Sequence, residues 1–110
     1  MLKKSAKKKR EEKSTNLPRI FAYSKSFLKS WENYSHSLKY DMNALKEVML
    51  LLIANDSPLE PKWRDHQLHG KFKDYRECHI GGDFLLTYKV DLEDEHLIFS
   101  NLGTHSELFR

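Results

Sequence analysis

A chain of 110 residues with 39% hydrophobic side chains is the size of one small domain and cannot build two ordinary cores. No stretch approaches the roughly 18 apolar residues of a membrane span, the basic N-terminus runs into Glu11, Glu12 and Asn16 instead of an apolar signal core, and the single cysteine, Cys78, cannot close an internal disulfide; the expectation is a cytoplasmic protein with no membrane partner. The net charge of +3 is unevenly spread, because residues 1–17 hold seven Lys/Arg and two Glu, net +5, and residues 18–110 hold twelve against fourteen, net −2; this excludes a generally basic surface and confines any nucleic-acid contact to a local patch.

Residues 1–17, MLKKSAKKKREEKSTNL, have almost nothing apolar to bury and read as a flexible, solvated tail that ends at Pro18, or as an arm for RNA phosphates. The domain is expected over residues 18–110. Arg19–Ser24, with Ile20, Phe21 and Tyr23, has the β-branched and aromatic content of a short strand. A helix follows, capped by Ser24 or Ser26, with Phe27, Leu28, Trp31 and Tyr34 on one stripe and Trp31 assigned to the core. Asp41 caps a second helix in which Met42, Leu45, Val48, Met49, Leu52 and Ile53 recur at helical intervals up to about Asn55. Its additional Leu50 and Leu51 widen the apolar face and imply a further contact, with the first helix or with a partner.

Leu59 to Asp74 has no clean period, with Pro58, Pro61 and Gly70 opposing regular structure, so Trp63 to His69 is expected on an ordered loop. Tyr75–Ile80 reads as a strand with Tyr75, Glu77 and His79 on one face and Arg76, Cys78 and Ile80 on the other. Gly81-Gly82-Asp83 turns the chain into a returning strand, Phe84–Val90, and places the Asp83 carboxylate within reach of His79. After an acidic turn, His96–Leu102 forms the last strand, and Thr104 caps a helical turn holding His105, Leu108 and Phe109. The expected class is α+β, with an N-terminal strand, two helices and an antiparallel β-meander in two layers.

Three of the six histidines and four acids fall between Trp63 and Lys89, and Lys62, Arg64, Lys71, Lys73, Arg76 and Lys89 concentrate positive charge in the same region. Histidine transfers protons near neutrality, so the cluster suggests acid–base work. A zinc site from His66, His69, Cys78 and His79 is the natural rival, but Cys78 and His79 are adjacent on a strand and point to opposite faces. The same alternation places Cys78 with Ile80 in the core, which argues against a thiol nucleophile. Taken singly, His79 is an ordinary half-buried histidine and Asp83 an ordinary turn residue; the case rests on their convergence with His66 and His105.

The motifs DHQLHG, YRECHI with its following Asp, LLTYK and GTHSELF resemble those of the YafQ branch of the RelE-type bacterial toxins, over about residues 40–109. The resemblance implies a RelE-like fold and a metal-independent endoribonuclease without cofactor. Such an enzyme cuts messenger RNA on the ribosome and is silenced by a cognate antitoxin. Cutting RNA without a metal requires a base for the 2′-OH, an acid for the leaving 5′-oxygen, and donors for the phosphorane. The resemblance selects His66, His79, Asp83 and His105 as catalytic, leaving open which histidine is base and which is acid. Arg76, Glu77, Lys89, Phe109, Lys71 and Lys73 are the expected substrate-binding residues, and no residue is expected to hold a metal. His36, His69 and His96 are read as surface residues. The basic tail and the Gly81-Gly82 turn depart from the family pattern. A non-catalytic RNA-binding or antitoxin-binding module on the same fold is the alternative.

Overall fold

Ile20–Tyr23 (β1) runs parallel to the last strand of the chain, and that pairing closes a five-stranded sheet in the order β1-β5-β4-β3-β2. The computed structural model describes residues 18–91, 93 and 96–109; residues 1–17, read above as a tail, lie outside the described residues. The other strands are His66–Gln67 (β2), Arg76–Gly81 (β3), Phe84–Asp91 (β4) and His96–Gly103 (β5), all paired antiparallel. The α+β class and the meander β3-β4-β5 are as expected from the sequence.

Lys25–Ser37 (α1) starts where the Ser24 hydroxyl accepts from Phe27 N at 2.9 Å and stops at Leu38 in the left-handed region, φ 60°. Met42–Ala54 (α2) is capped by Asp41, which accepts from Ala44 N at 2.9 Å. Arg19 satisfies two carbonyls at its far end: Nε donates to Leu52 O at 2.9 Å and the main-chain N to Ile53 O at 2.7 Å. The two helices cover one face of the sheet, α1 along β5 and α2 along β3. Between them and the sheet lies the core, with Phe27, Leu45, Val48, Leu52, Cys78, Phe84, Leu86, Tyr88, Leu97, Phe99 and Leu102 buried.

Three expectations need correction. Trp31 is only half-buried, beside an open slot shared with Tyr23, Phe27 and Leu28, and Leu28 itself is exposed, because Phe27 alone of that stripe points straight at the sheet. Leu50 and Leu51 are exposed, which corrects only the contact expected with the first helix. The segment expected as loop contains a 3₁₀ turn, Pro61–Trp63, the short β2, and a second 3₁₀ turn, Gly70–Phe72. Proline opens the first turn without loss, since the leading N–H groups of a helix have no internal partner. It drives Trp63 into the core, which gives a loop without periodicity its fixed position.

The register between β4 and β5 breaks after Thr87, which faces Asn101, because Tyr88 faces Phe99; Ser100 is the extra residue of a bulge. The bulge reverses the alternation, so that Leu97, Phe99 and Leu102 all face the helices. Ser24 anchors it: its main-chain N donates to Phe99 O at 3.0 Å and its hydroxyl to Ser100 O at 2.6 Å. One side chain therefore fixes both the start of α1 and the kink in β5. Ser24→Ala should lower the unfolding free energy by about 1–2 kcal/mol in chemical denaturation, while Ser24→Thr should retain most of it. An unchanged midpoint in Ser24→Ala would mean that bulge and helix start hold without the hydroxyl.

Candidate active site

The face of the sheet turned away from the helices carries a transverse row of side chains set by strand register. His66 on β2 opposes Glu77 on β3, Glu77 opposes Thr87 on β4, and Thr87 opposes Asn101 on β5. His79 lies one pleat farther along β3, on the same face as Glu77. The last turn of the chain, His105–Leu108 (α3), brings His105 over this face. The rings of His66 and His79 are 6.1 Å apart between centroids, those of His79 and His105 5.9 Å, and those of His105 and Phe109 6.0 Å. Three imidazoles and a phenyl ring thus stand in file.

Beneath them sits the Glu77 carboxyl, 3% exposed. Its Oε1 is 3.2 Å from His79 Nε2 and 3.7 Å from His105 Nε2. His105 Nδ1 donates to Asp83 Oδ1 at 2.7 Å, and the same oxygen accepts the His105 main-chain N–H at 3.0 Å. Those two bonds, the backbone one first, hold the exposed Asp83 carboxyl below the usual aspartate range. Asp83 therefore serves His105, whereas the sequence reading had paired it with His79; Glu77 takes that partner. The Gly81-Gly82 turn, with Gly82 at φ 53°, does not leave the carboxylate loose, since both bonds come from His105. On His66, Nδ1 lies 2.7 Å from Arg64 O. A carbonyl only accepts, so Nδ1 carries a proton, and in the neutral ring the lone pair lies on Nε2.

The expected cationic residues are not drawn into this file. Arg76 follows Cys78 onto the helix side, where Nη2 pairs with Asp65 Oδ2 at 3.2 Å. The buried Tyr88 hydroxyl donates to Asp65 Oδ1 at 2.5 Å, and burial first, then that bond, raises its pKa. Lys89 Nζ lies 5.8 Å above the Tyr75 ring and Lys71 Nζ 5.2 Å from the Phe72 ring. Lys73, with Gln67, Arg76 and Lys89, lines a separate charged groove. His36 and His69 are exposed and His96 half-buried. Cys78 is fully buried, and burial pushes its thiol up well past the neutral range, which excludes it as a nucleophile.

Two positioning residues escaped the sequence reading. Thr104 was expected as a cap, but Glu107 completes the box by accepting from Thr104 N at 2.8 Å, and Tyr34 of α1 donates its hydroxyl to the same carboxylate. Burial and then this bond raise the Tyr34 pKa. The Thr-x-x-Glu spacing of a capping box was the available signal; nothing in the sequence announces Tyr34. The ligand atoms of His66, Glu77 and His79 lie within 4.8 Å of one another, a set that fits a borderline or soft divalent ion better than magnesium.

The model of a family described as the bacterial toxin of type II toxin–antitoxin system, YafQ, matches residues 19–110. The mRNA interferase toxin YafQ of Escherichia coli is 48% identical over 69 residues, covering 63% of this chain and 73% of that protein. Among solved structures, the E. coli DinJ-YafQ complex superposes with a TM-score of 0.73 at 39% identity, covering 84% of this chain and 99% of that one. A copper-bound mutant toxin from Helicobacter pylori superposes at 0.74 with 42% identity, covering 83% of this chain and 99% of that one.

Gly103 tests how His105 is held. A Cβ there would stand 2.8 Å from Glu107 Oε1, closer than carbon and oxygen tolerate, and in tight contact at 3.3 Å with the Tyr34 hydroxyl. Gly103→Ala should therefore displace the Glu107 carboxylate and open the cap. Amide exchange at Leu108 and Phe109, whose N–H groups close α3 on Thr104 O and His105 O, should speed up roughly tenfold, with the global melting temperature nearly unchanged. Exchange at the native rate would show that α3 does not depend on Glu107.

Proposed function

The chain belongs to the YafQ family of toxins of bacterial type II toxin–antitoxin systems, and on that premise we propose that it is an mRNA interferase, an endoribonuclease that cuts messenger RNA on the ribosome and is held inactive by a cognate antitoxin, as DinJ binds the E. coli relative. The observation that carries the reading is the file of three imidazoles above a buried carboxyl, each ring within about 6 Å of the next.

His66, with its Nδ1 proton given to a carbonyl, presents the lone pair that takes the 2′-OH proton. The 2′-oxygen then attacks the adjacent phosphorus. His79, between the other two rings, donates to the non-bridging oxygens as the phosphorane forms. His105, in its protonated form and oriented by Asp83, gives the Nε2 proton to the departing 5′-oxygen. The products are a 5′ fragment ending in a 2′,3′-cyclic phosphate and a 3′ fragment beginning with a 5′-hydroxyl. Proton transfer by a positioned group contributes roughly 10²–10⁴ in rate, which sets the loss expected when an imidazole is removed. Glu77 holds His79 and His105 at a common depth, and Phe109, at the end of the file, stacks a base of the substrate.

His105→Ala should keep the fold, antitoxin binding and RNA binding, and lower turnover by roughly 10²–10⁴. A 2′-deoxy nucleotide immediately 5′ of the cut should block cleavage by the native enzyme. Full activity in His105→Ala removes that residue from the mechanism, and normal cleavage of the deoxy substrate removes 2′-OH attack.

Metal dependence gives a further test. With ribosome-free RNA, cleavage should persist in excess EDTA, because the groups proposed move protons by themselves. Micromolar Cu²⁺ should inhibit, since His66, Glu77 and His79 would spend their lone pairs on the ion, in keeping with the copper-bound relative, and EDTA should reverse the inhibition. Loss of cleavage in EDTA alone would overturn the metal-free mechanism.

A further inference from the structure

Next to the imidazoles, on the same face of the sheet, lies a recess of about 130 Å³ that shares only Phe109 with the mechanism above. Its floor is Thr87 and Asn101, and its walls are Leu68, Phe72, Tyr75 and Phe109. We propose that this recess is a pocket for a single nucleobase of the cleaved RNA, and that Asn101 is the residue that discriminates between bases there. The inference rests on the ribonuclease reading and deepens it.

Size and position choose the occupant. The volume is well below the roughly 300–1,000 Å³ of sites for larger organic ligands, and it admits one flat heteroaromatic ring system but no helix or folded peptide. Glu77, Thr87 and Asn101 are consecutive members of one transverse row, so the amide stands two interstrand spacings, about 10 Å, from the acid–base cluster. That is the span of one nucleotide. With the scissile phosphate beneath the imidazoles, an adjoining base falls over Thr87 and Asn101.

The lining suits a base. Phe72 and Phe109 meet edge to face at 5.2 Å, and Phe109 joins the pocket to the His105 ring at 6.0 Å. Aromatic rings of this kind stack any base with little regard to sequence, so the walls supply affinity and no choice. Lys89, over the Tyr75 ring, adds positive charge at the rim.

Choice requires polar groups on the floor. Thr87 is nearly buried and its hydroxyl is directed to the Asn101 main-chain oxygen at 3.4 Å. The Asn101 side-chain amide has no hydrogen-bond partner among the described residues. A carboxamide offers a donor and an acceptor side by side, the pattern that pairs with a base edge. Only the bulge at Ser100 turns Asn101 toward this face; unbroken alternation from Leu97 and Phe99 would send it into the core.

The test uses short RNAs that differ only in the base at one position flanking the cut, with kcat/KM measured for native protein, Asn101→Ala, Asn101→Asp and Phe72→Leu. Native protein should discriminate at one flanking position. Asn101→Ala should shrink that preference, and no other, by roughly 10- to 100-fold while keeping its melting temperature. Asn101→Asp, which only accepts, should shift the preference toward bases bearing an amino group. Phe72→Leu should weaken all four alike. A loss in Asn101→Ala equal for all bases, or unchanged preferences, would overturn the proposal. If native protein cleaves none of these RNAs, the ribonuclease reading fails on its own, and equilibrium binding of the same oligonucleotides still decides the pocket: base-dependent affinity flattened by Asn101→Ala supports it, and base-independent affinity in the native protein rejects it.

Discussion

A carboxyl group cannot be taken out of water without partners, and Glu77, 3% exposed on the face turned away from α1 and α2, imposes that condition on everything around it. An unpaired polar group in such a place costs several kcal/mol, a large share of the roughly 5–15 kcal/mol that holds a domain together. His79 and His105 meet the demand from two separate elements, at 3.2 Å and 3.7 Å. Glu77 is thereby the point at which the middle of the sheet and the last turn of the chain must agree in position. His105, proposed above to move a proton, is also one of the two groups that make the carboxyl tolerable, so site geometry and fold stability are tied at one atom.

The sheet divides its work between faces. The helix side is closed by apolar residues and holds its few polar groups in the Asp65–Arg76–Tyr88 set, where Tyr88 and Arg76 both reach the Asp65 carboxylate. The other side has only short cover, from the turn Gly70–Phe72 and α3. It therefore keeps polar side chains accessible without exposing the core. A two-layer architecture leaves one sheet face without a full helical layer, and this chain places its file of three imidazoles there.

What the sequence revealed follows from which periodicities remained unbroken. β3 keeps its alternation as far as His79, before its register with β4 shifts, so the division of Glu77 and His79 from Cys78 and Ile80 was readable, and so was the exclusion of Cys78 as a nucleophile. Asp41 and Thr104 were recognisable as caps, and Ser24 as one of two candidates with Ser26, because capping depends on a residue and its next three neighbours. Partners across long sequence distances were not readable. Asp83 was assigned to His79 by proximity along the chain, yet its acceptor oxygen is saturated by His105, 22 residues on. Arg76 looked like a free cation until Asp65 and Tyr88 closed on it. Asn101 was concealed by a one-residue bulge that no local pattern announces, since Ser100 is an unremarkable strand residue until its carbonyl is taken by Ser24.

The placement of His105 raises a question of local stability. Helices much shorter than about 12 residues do not persist alone in water, and α3 has four residues. Its order must come from side-chain bonds that bridge to other elements: Thr104 and Glu107 cap it, Tyr34 reaches Glu107 from α1, and Asp83 takes both the main-chain and ring N–H of His105. Each of these bonds is modest by itself, because the turn is exposed and water competes for the same groups. Removing one leaves the others geometrically competent, and the turn fails only when several are lost together. A side chain mounted this way is fixed when the surrounding elements are in register and released when they are not, so the position of His105 reports on α1, the β3–β4 hairpin and the end of β5 at once.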